Sequence, residues 1–448
     1  MQQINIKALS SEWAKREKEK IEENGKRKYL HFDARIKSVG KRLVEEVTNP
    51  DYVVGRFFYP FVQDTQVIRK YKNNNGSKYV APKDRPICYA SHKDAFIFSW
   101  YGFLLNSIYE QRIKQLGIDS NVIAYRTDLH RNNIHFAKEV FDFVGAKGDC
   151  AVLCFDIEKF FDTLDHKILK SAWRDLLVGT SLDNGGLPED HYAVLKAATN
   201  FSFSVKKNLY KFFGIDKKTF RQFSAICSLD QFKSIVRKVG LIQQNPDKKG
   251  VPQGIAISCV LSNAYMLGFD IAVSGHVKSI GGLYRRYCDD IIIVCDKRDY
   301  AAVEKFVLDQ IAKLKLVIQK EKTDVRLFSV SANREVSCED EKGNKASLQY
   351  LGVVTDGVIA TFRGKTIAKF YRRVTGAVQR ELVIAKKNKH NKLARKRLNK
   401  KFIHSKQRSF TAYAKMGAEV LNSDELQKQF SPDSLSKIIG RKIRKYKK

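Results

Sequence analysis

Two aspartates, Asp289 and Asp290, stand side by side in "YRRYCDDIIIV", residues 284–294. Their aromatic and apolar flanks offer little water to relieve the repulsion between neighbouring carboxylates. A third acid, Asp156, ends another apolar run in "AVLCFDIEKFF". Isolated carboxylates in such surroundings would be neutralised or expelled. A divalent cation turns converging negative charge into a binding site. Hard oxygen donors with no nearby His or Cys suit Mg2+ or Mn2+, and Mg2+ commonly keeps substrate phosphate oxygens as co-ligands. Two such ions about 3.5–4 Å apart form the two-metal arrangement of phosphoryl-transfer enzymes. The turn before "IIIV" is expected to set Asp289 beside Asp156 at a sheet end, with Asp290 a weaker ligand.

The elements around these acids follow from pattern. Residues 1–60 read as helical, with a break near Pro50. Residues 66–90 read as two strands joined by a polar turn around Asn73–Ser77. "DAFIFSWYGFLLNSIYEQRIKQLG" and "NNIHFAKEVFDFVGAKG" read as helices closed by glycine. Asp156 ends a strand, 172–245 is mostly helical, "PQG" is a tight turn before an apolar helix, and 300–314 is an amphipathic helix. This order predicts an α+β sheet with helices on one face.

Composition narrows the partners. The chain has 448 residues and a net charge of +34, from 82 Lys and Arg against 48 Asp and Glu. Such a surplus favours a polyanion, nucleic acid foremost. Membrane binding is disfavoured, because no run approaches about 18 apolar residues and no lipidation motif is present. The charged N-terminus lacks a signal-peptide core, and the eight scattered cysteines form no CxxC pair. Reduced thiols and a cytoplasmic location are expected. Residues 386–408 carry 11 Lys or Arg and no acid. Leu393, Leu398, Phe402 and Ile403 suggest that this segment packs as helices with one basic face, led by Lys396, Arg397, Lys400 and Lys401.

Six motifs, in order, resemble those of reverse transcriptases. "KDRPI" at 83–87 resembles the basic fingers strand, and "FDIEKFFD" at 155–162 the first palm motif. "GVPQGIAISCVLSNAYM" at 250–266 resembles the PQG motif, and "YCDD" at 287–290 the YxDD box. "KLVIQKEKT" and "LQYLGVV" resemble the two strand motifs that follow. The resemblance implies a right-hand polymerase. Its parts would be an N-terminal helical extension at 1–60, fingers at 61–150, a palm at 151–360 with a helical insertion at 172–245, and a basic helical thumb at 361–448. It also implies that Asp156, Asp289 and Asp290 hold two Mg2+ or Mn2+ ions, with the Ile157 carbonyl completing the site. Phe161 would be the steric gate against a 2′-hydroxyl, Gln253 and Gly254 would line the nucleotide pocket, and Arg85, with Lys83 and Lys70, would hold the triphosphate. Lys322 would protonate the leaving pyrophosphate. Phe161 could instead be a core residue, "PQG" a plain turn, and each of the lysines an ordinary surface residue.

Further stretches, "AYRTDLHRNNIHFAKEVF", "LPEDHYAVLKAATNFSFSV" and "KRLNKKFIHSKQRSFTAYAKMGAEVL", resemble the bacterial "unknown group" lineage, most closely its type 2 defence-associated members. That lineage implies a partner non-coding RNA as template and scaffold, dNTP substrates and a DNA product. Asp156 and Gln253 lie 97 positions apart, a wider gap than in compact family members. Two other functions fit the same residues: template-independent or protein-primed DNA synthesis, and a non-catalytic RNA-binding scaffold. The intact set of three acids argues against the scaffold. Oligomeric state is not legible.

Overall fold

The computed structural model describes residues 3–25, 29–74, 77–126, 128–387, 395–404 and 409–447. At its centre is an antiparallel sheet of five strands in the order β6-β7-β3-β8-β9. Its strands are β3 (Cys150–Asp156), β6 (Leu283–Tyr287), β7 (Asp290–Cys295), β8 (Asp324–Val330) and β9 (Val336–Glu339). Alternate residues of β3 and β7 serve two cores. Ala151, Leu153, Phe155, Ile291 and Ile293 pack with the helices His92–Gln115, His166–Leu177, Ser258–Ser279 and Tyr300–Lys313. Cys150, Val152, Ile292 and Val294 face the helix Asn133–Lys147 and the C-terminal helices. Helices thus cover both faces, where one covered face was expected. The unbroken run "IIIV" is the physical reason, since a strand buried on both sides has no polar alternation.

A second sheet has the order β2-β1-β4-β5. Strands β1 (Phe61–Asn74) and β2 (Ser77–Tyr89) form the expected long hairpin, in register from Val62 opposite Tyr89 to Asn74 opposite Ser77. The segment 172–245 was expected to be helical. It does contain the helix Glu189–Thr199, but it also holds β4 (Ser202–Val205) and β5 (Gln243–Gln244), which extend the hairpin sheet. Behind them a third core joins Leu209, Ile226, Phe232 and Val236 to Leu30, Phe32 and Val62. Part of the insertion therefore belongs to the hairpin side of the molecule. The expected break near Pro50 falls at Asn49, between the helix Lys41–Thr48 and the short helix Pro50–Val54, which the Asn49 side chain caps.

A small sheet of β10 (Leu348–Tyr350), β11 (Val353–Thr355) and β12 (Ala360–Phe362) leads into the C-terminal helices Gly364–Lys387, Arg395–Phe402, Phe410–Val420 and Pro432–Lys447. Leu398, Phe402 and Ile403 are buried there, as their spacing predicts, while Leu393 lies outside the described residues. Among the described residues, no helix is long and apolar enough to cross a membrane.

Candidate active site

The acids meet at one end of the central sheet. In the β3–β7 register Asp156 stands opposite Asp290, not Asp289. Directly opposed residues project to the same face, so Asp156 and Asp290 share a face of the sheet. Asp289 occupies the turn, and its carbonyl accepts from the Ile157 N–H at 3.3 Å. Asp290 reaches solvent on one side. Crowding by the protein, then the charges of Asp289 and Asp156, push its carboxyl up to about 7, against the pull of Lys322 and Arg363. Lys322, in the helical turn Lys320–Lys322, forms an ion pair with Asp156. That turn is set by backbone bonds from Gln319 N–H to the Asp156 carbonyl (2.8 Å) and from Glu158 N–H to the Val317 carbonyl (2.8 Å).

A cavity of about 580 Å3 has Arg85, Phe161, Gln253 and Gly254 in its wall, and its Tyr125 contacts Cys288 of the acidic turn. Four residues singled out from motifs as far apart as 83–87 and 250–266 thus line one space. Phe161 is half-buried at the cavity while its neighbour Phe160 is in the core, so the cavity distinguishes the two rings. The "PQG" loop is held from both sides. Its Gln253 carbonyl accepts from Cys88 N–H of β2 at 2.8 Å, and Val251 N–H donates to the Phe161 carbonyl at 2.8 Å. Gln253 Nε2 lies 3.4 Å from Asp162 Oδ1. Gly254 is required on two counts. Its φ is +110°, and a Cβ there would fall 2.7 Å from the Cys88 carbonyl oxygen.

Lys83 is exposed on β2, opposite Ile68, and is not part of the cavity wall. Lys70 lies opposite Ala81 in β1, and its side chain falls outside the described residues. Lys396, Arg397, Lys400 and Lys401 are exposed on the helix Arg395–Phe402. Lys401 also lines a cavity of about 300 Å3 with Lys369, Arg372, Arg373 and Arg380, which extends the basic face onto the preceding helix.

A family model described as "Reverse transcriptase (RNA-dependent DNA polymerase)" matches residues 97–355, more than half of the chain. The chain belongs to the reverse transcriptase family. The matched region of this reverse transcriptase is therefore an RNA-directed DNA polymerase domain, a nucleotidyltransferase with the α+β right-hand fold. Solved telomerase structures are similar at a low level. Apo telomerase from Candida tropicalis, truncated from its C-terminal domain, has a TM-score of 0.40 and 12% identity, over 68% of this chain and 57% of that one. Telomerase from Candida albicans with a fragment of telomeric RNA has a TM-score of 0.41 and 11% identity, over 87% and 64%. The reverse transcriptase thus spans less than two thirds of the length of either. A comparison with curated protein sequences gave no match.

The donor set of the reverse transcriptase fits divalent metal. Three carboxylates offer hard oxygens, and their mutual repulsion leaves Asp290 short of positive charge. Among the described residues no three His, Cys, Asp or Glu side chains stand close enough for a preformed metal cage. Tyr125, Tyr29, Tyr89 and Cys259 also line the nucleotide-sized cavity, and the charge of Arg363 acts on Asp290. None of these was singled out from sequence. Tyr125 lies in "AYRTDLH", at the start of a lineage-like stretch that marks the segment but not the residue.

Proposed function

We propose that this protein copies an RNA template into DNA by two-metal nucleotidyl transfer. The observation that carries the proposal is one cavity walled by Arg85, Phe161, Gln253 and Gly254 and joined to the acidic turn through Tyr125 and Cys288. Asp156, Asp289, Asp290 and the Ile157 carbonyl would hold two Mg2+ or Mn2+ ions. When bound, these supply activation of the primer 3′-hydroxyl and charge neutralisation at the triphosphate. Arg85, exposed at the cavity mouth, pairs with the triphosphate oxygens. The Phe161 ring occupies the space a 2′-hydroxyl would need and so selects deoxynucleotides. Lys322, already against Asp156, donates a proton to the departing pyrophosphate oxygen. The basic faces of the C-terminal helices hold template and primer through phosphate contacts, with strong salt dependence.

The template is a non-coding RNA partner and the setting is defence against phage. This finer reading is supported by the three lineage-like stretches at 124–141, 187–205 and 396–421. DNA complementary to a co-purifying RNA is the expected product, whereas random or homopolymeric DNA would favour template-free synthesis. Asp289→Ala with Asp290→Ala is expected to lower DNA synthesis by on the order of 10³-fold or more while RNA binding persists. Undiminished synthesis by that variant would remove the acids from the chemistry.

A further inference from the structure

In the YCDD turn, Cys288 and Asp289 form the two-residue loop between the paired Tyr287 and Asp290. Cys288 has φ +62°, the left-handed region that a residue with a Cβ adopts at a cost. Two side chains from outside the turn reach Cys288 and can help to hold it there.

From beneath comes Arg286, which is fully buried in β6. Its Nε and Nη2 donate to the two carboxylate oxygens of Asp270 at 2.7 and 2.6 Å. Its Nη1 donates to the Cys288 carbonyl at 3.1 Å and to Asn263 Oδ1 at 3.2 Å. Tyr284 donates its hydroxyl to the same Asp270 at 2.6 Å. Asp270 and Asn263 both lie on the helix Ser258–Ser279, which the PQG loop leads into.

From the cavity side comes Tyr125. Its hydroxyl donates to Cys288 Sγ at 3.2 Å, and it lines the nucleotide-sized cavity. The loop that carries it is tied to the same network. Asn263 Nδ2 donates to the Ala124 carbonyl at 3.1 Å, and Ile123 N–H donates to the Arg286 carbonyl at 3.0 Å. A buried ion pair is a poor way to gain stability alone, because apolar packing of similar volume does as well or better. A guanidinium with a spare N–H aimed at the turn does what apolar packing cannot.

We propose that Arg286 and Tyr125 are positioning residues for the catalytic turn, holding Cys288 by its carbonyl and its sulfur and so tying the cavity wall to the carboxylates. This rests on the reading that Asp289 and Asp290 are catalytic.

The test is steady-state incorporation of dNTP on a primed RNA by the full chain. Tyr125→Phe keeps the ring and removes only the hydroxyl. It is expected to lower kcat by roughly 3- to 10-fold, the value of one hydrogen bond, with KM for dNTP within about twofold. Cys288→Ala is expected to act alike, and the double variant to cost no more than the worse single change. Cys288→Ser, which keeps an acceptor, is expected to stay within about twofold of wild type. Arg286→Lys, assayed where its melting curve shows folded protein, is expected to lose more than about tenfold in kcat. If it does not fold, the Tyr125–Cys288 cycle decides. Wild-type kcat in Tyr125→Phe, or multiplying effects in the double variant, would overturn the proposal. Asp156→Ala in parallel keeps the two readings apart: if it is inactive while the Tyr125 and Arg286 variants match wild type, only the positioning roles fail.

Discussion

Asp270 and Asp290 lie on the elements before and after β6 in the chain and are treated in opposite ways. Asp270 is fully buried, yet it receives two guanidinium N–H groups and a tyrosine hydroxyl. Asp290 reaches solvent, yet it shares its end of the sheet with two further acids, and its carboxyl is pushed up to about 7. The buried charge is matched inside the fold. The exposed cluster is left short of positive charge, with Lys322 paired to Asp156 and Arg363 acting on Asp290. Burial alone therefore does not mark a functional acid here. What separates the two places is whether the chain itself supplies the compensating charge.

The largest effect should come from unbalancing the matched pair. Arg286→Met leaves Asp270 buried without its partner and is expected to cost about 3–5 kcal/mol in denaturant unfolding. A loss below about 1 kcal/mol would mean that the pair is not a matched structural charge.

The under-compensated cluster predicts a pH effect of known sign. The folded carboxyl of Asp290 titrates near 7, above its ordinary 3.8, so the folded state binds the proton more tightly than the unfolded one. This contribution stabilises fully below about pH 4 and is lost as pH rises through about 7. Without metal, Asp290→Asn should therefore melt above wild type at pH 8, and the advantage should shrink toward pH 4. Mg2+ at pH 8 should raise the wild-type melting temperature more than that of the variant. A difference in melting temperature that does not change with pH would break the comparison from the acidic side.

The smallest effect is expected at Lys322. Its ion pair with Asp156 is partly open to water, and such pairs contribute about 0.2–1 kcal/mol. Lys322→Met should change unfolding free energy by no more than that, however much it slows DNA synthesis. A loss comparable to that of Arg286→Met would place Lys322 with the structural pairs.

The acidic side of this contrast is legible in residue types alone, and the matched side is not. The three acids, the PQG turn, Arg85 and Phe161 stand in short stretches whose residue types carry their chemistry. The hairpin of β1 and β2 and the helix closed by Gly148 follow from local turn and cap signals. The strands β4 and β5, four and two residues long, are too short to show a period. The match between Arg286 and Asp270 is hidden because its partners lie 16 residues apart on different elements. Tyr125 is hidden because an irregular loop, not a repeating pattern, brings it to Cys288.

The sequence alone determined the kind of chemistry: hard oxygen donors, a basic surface for a polyanion, and an ordered set of reverse transcriptase motifs. These are properties of residue types and short spacings, which survive without a fold. Only the tertiary structure decided that Asp290 stands opposite Asp156 in strand register, that Phe161 rather than Phe160 reaches the cavity, and that Arg286 reaches the turn. Each of those depends on strand register or on packing between distant segments. A shift of one residue in register would send every side chain of a strand to the other face.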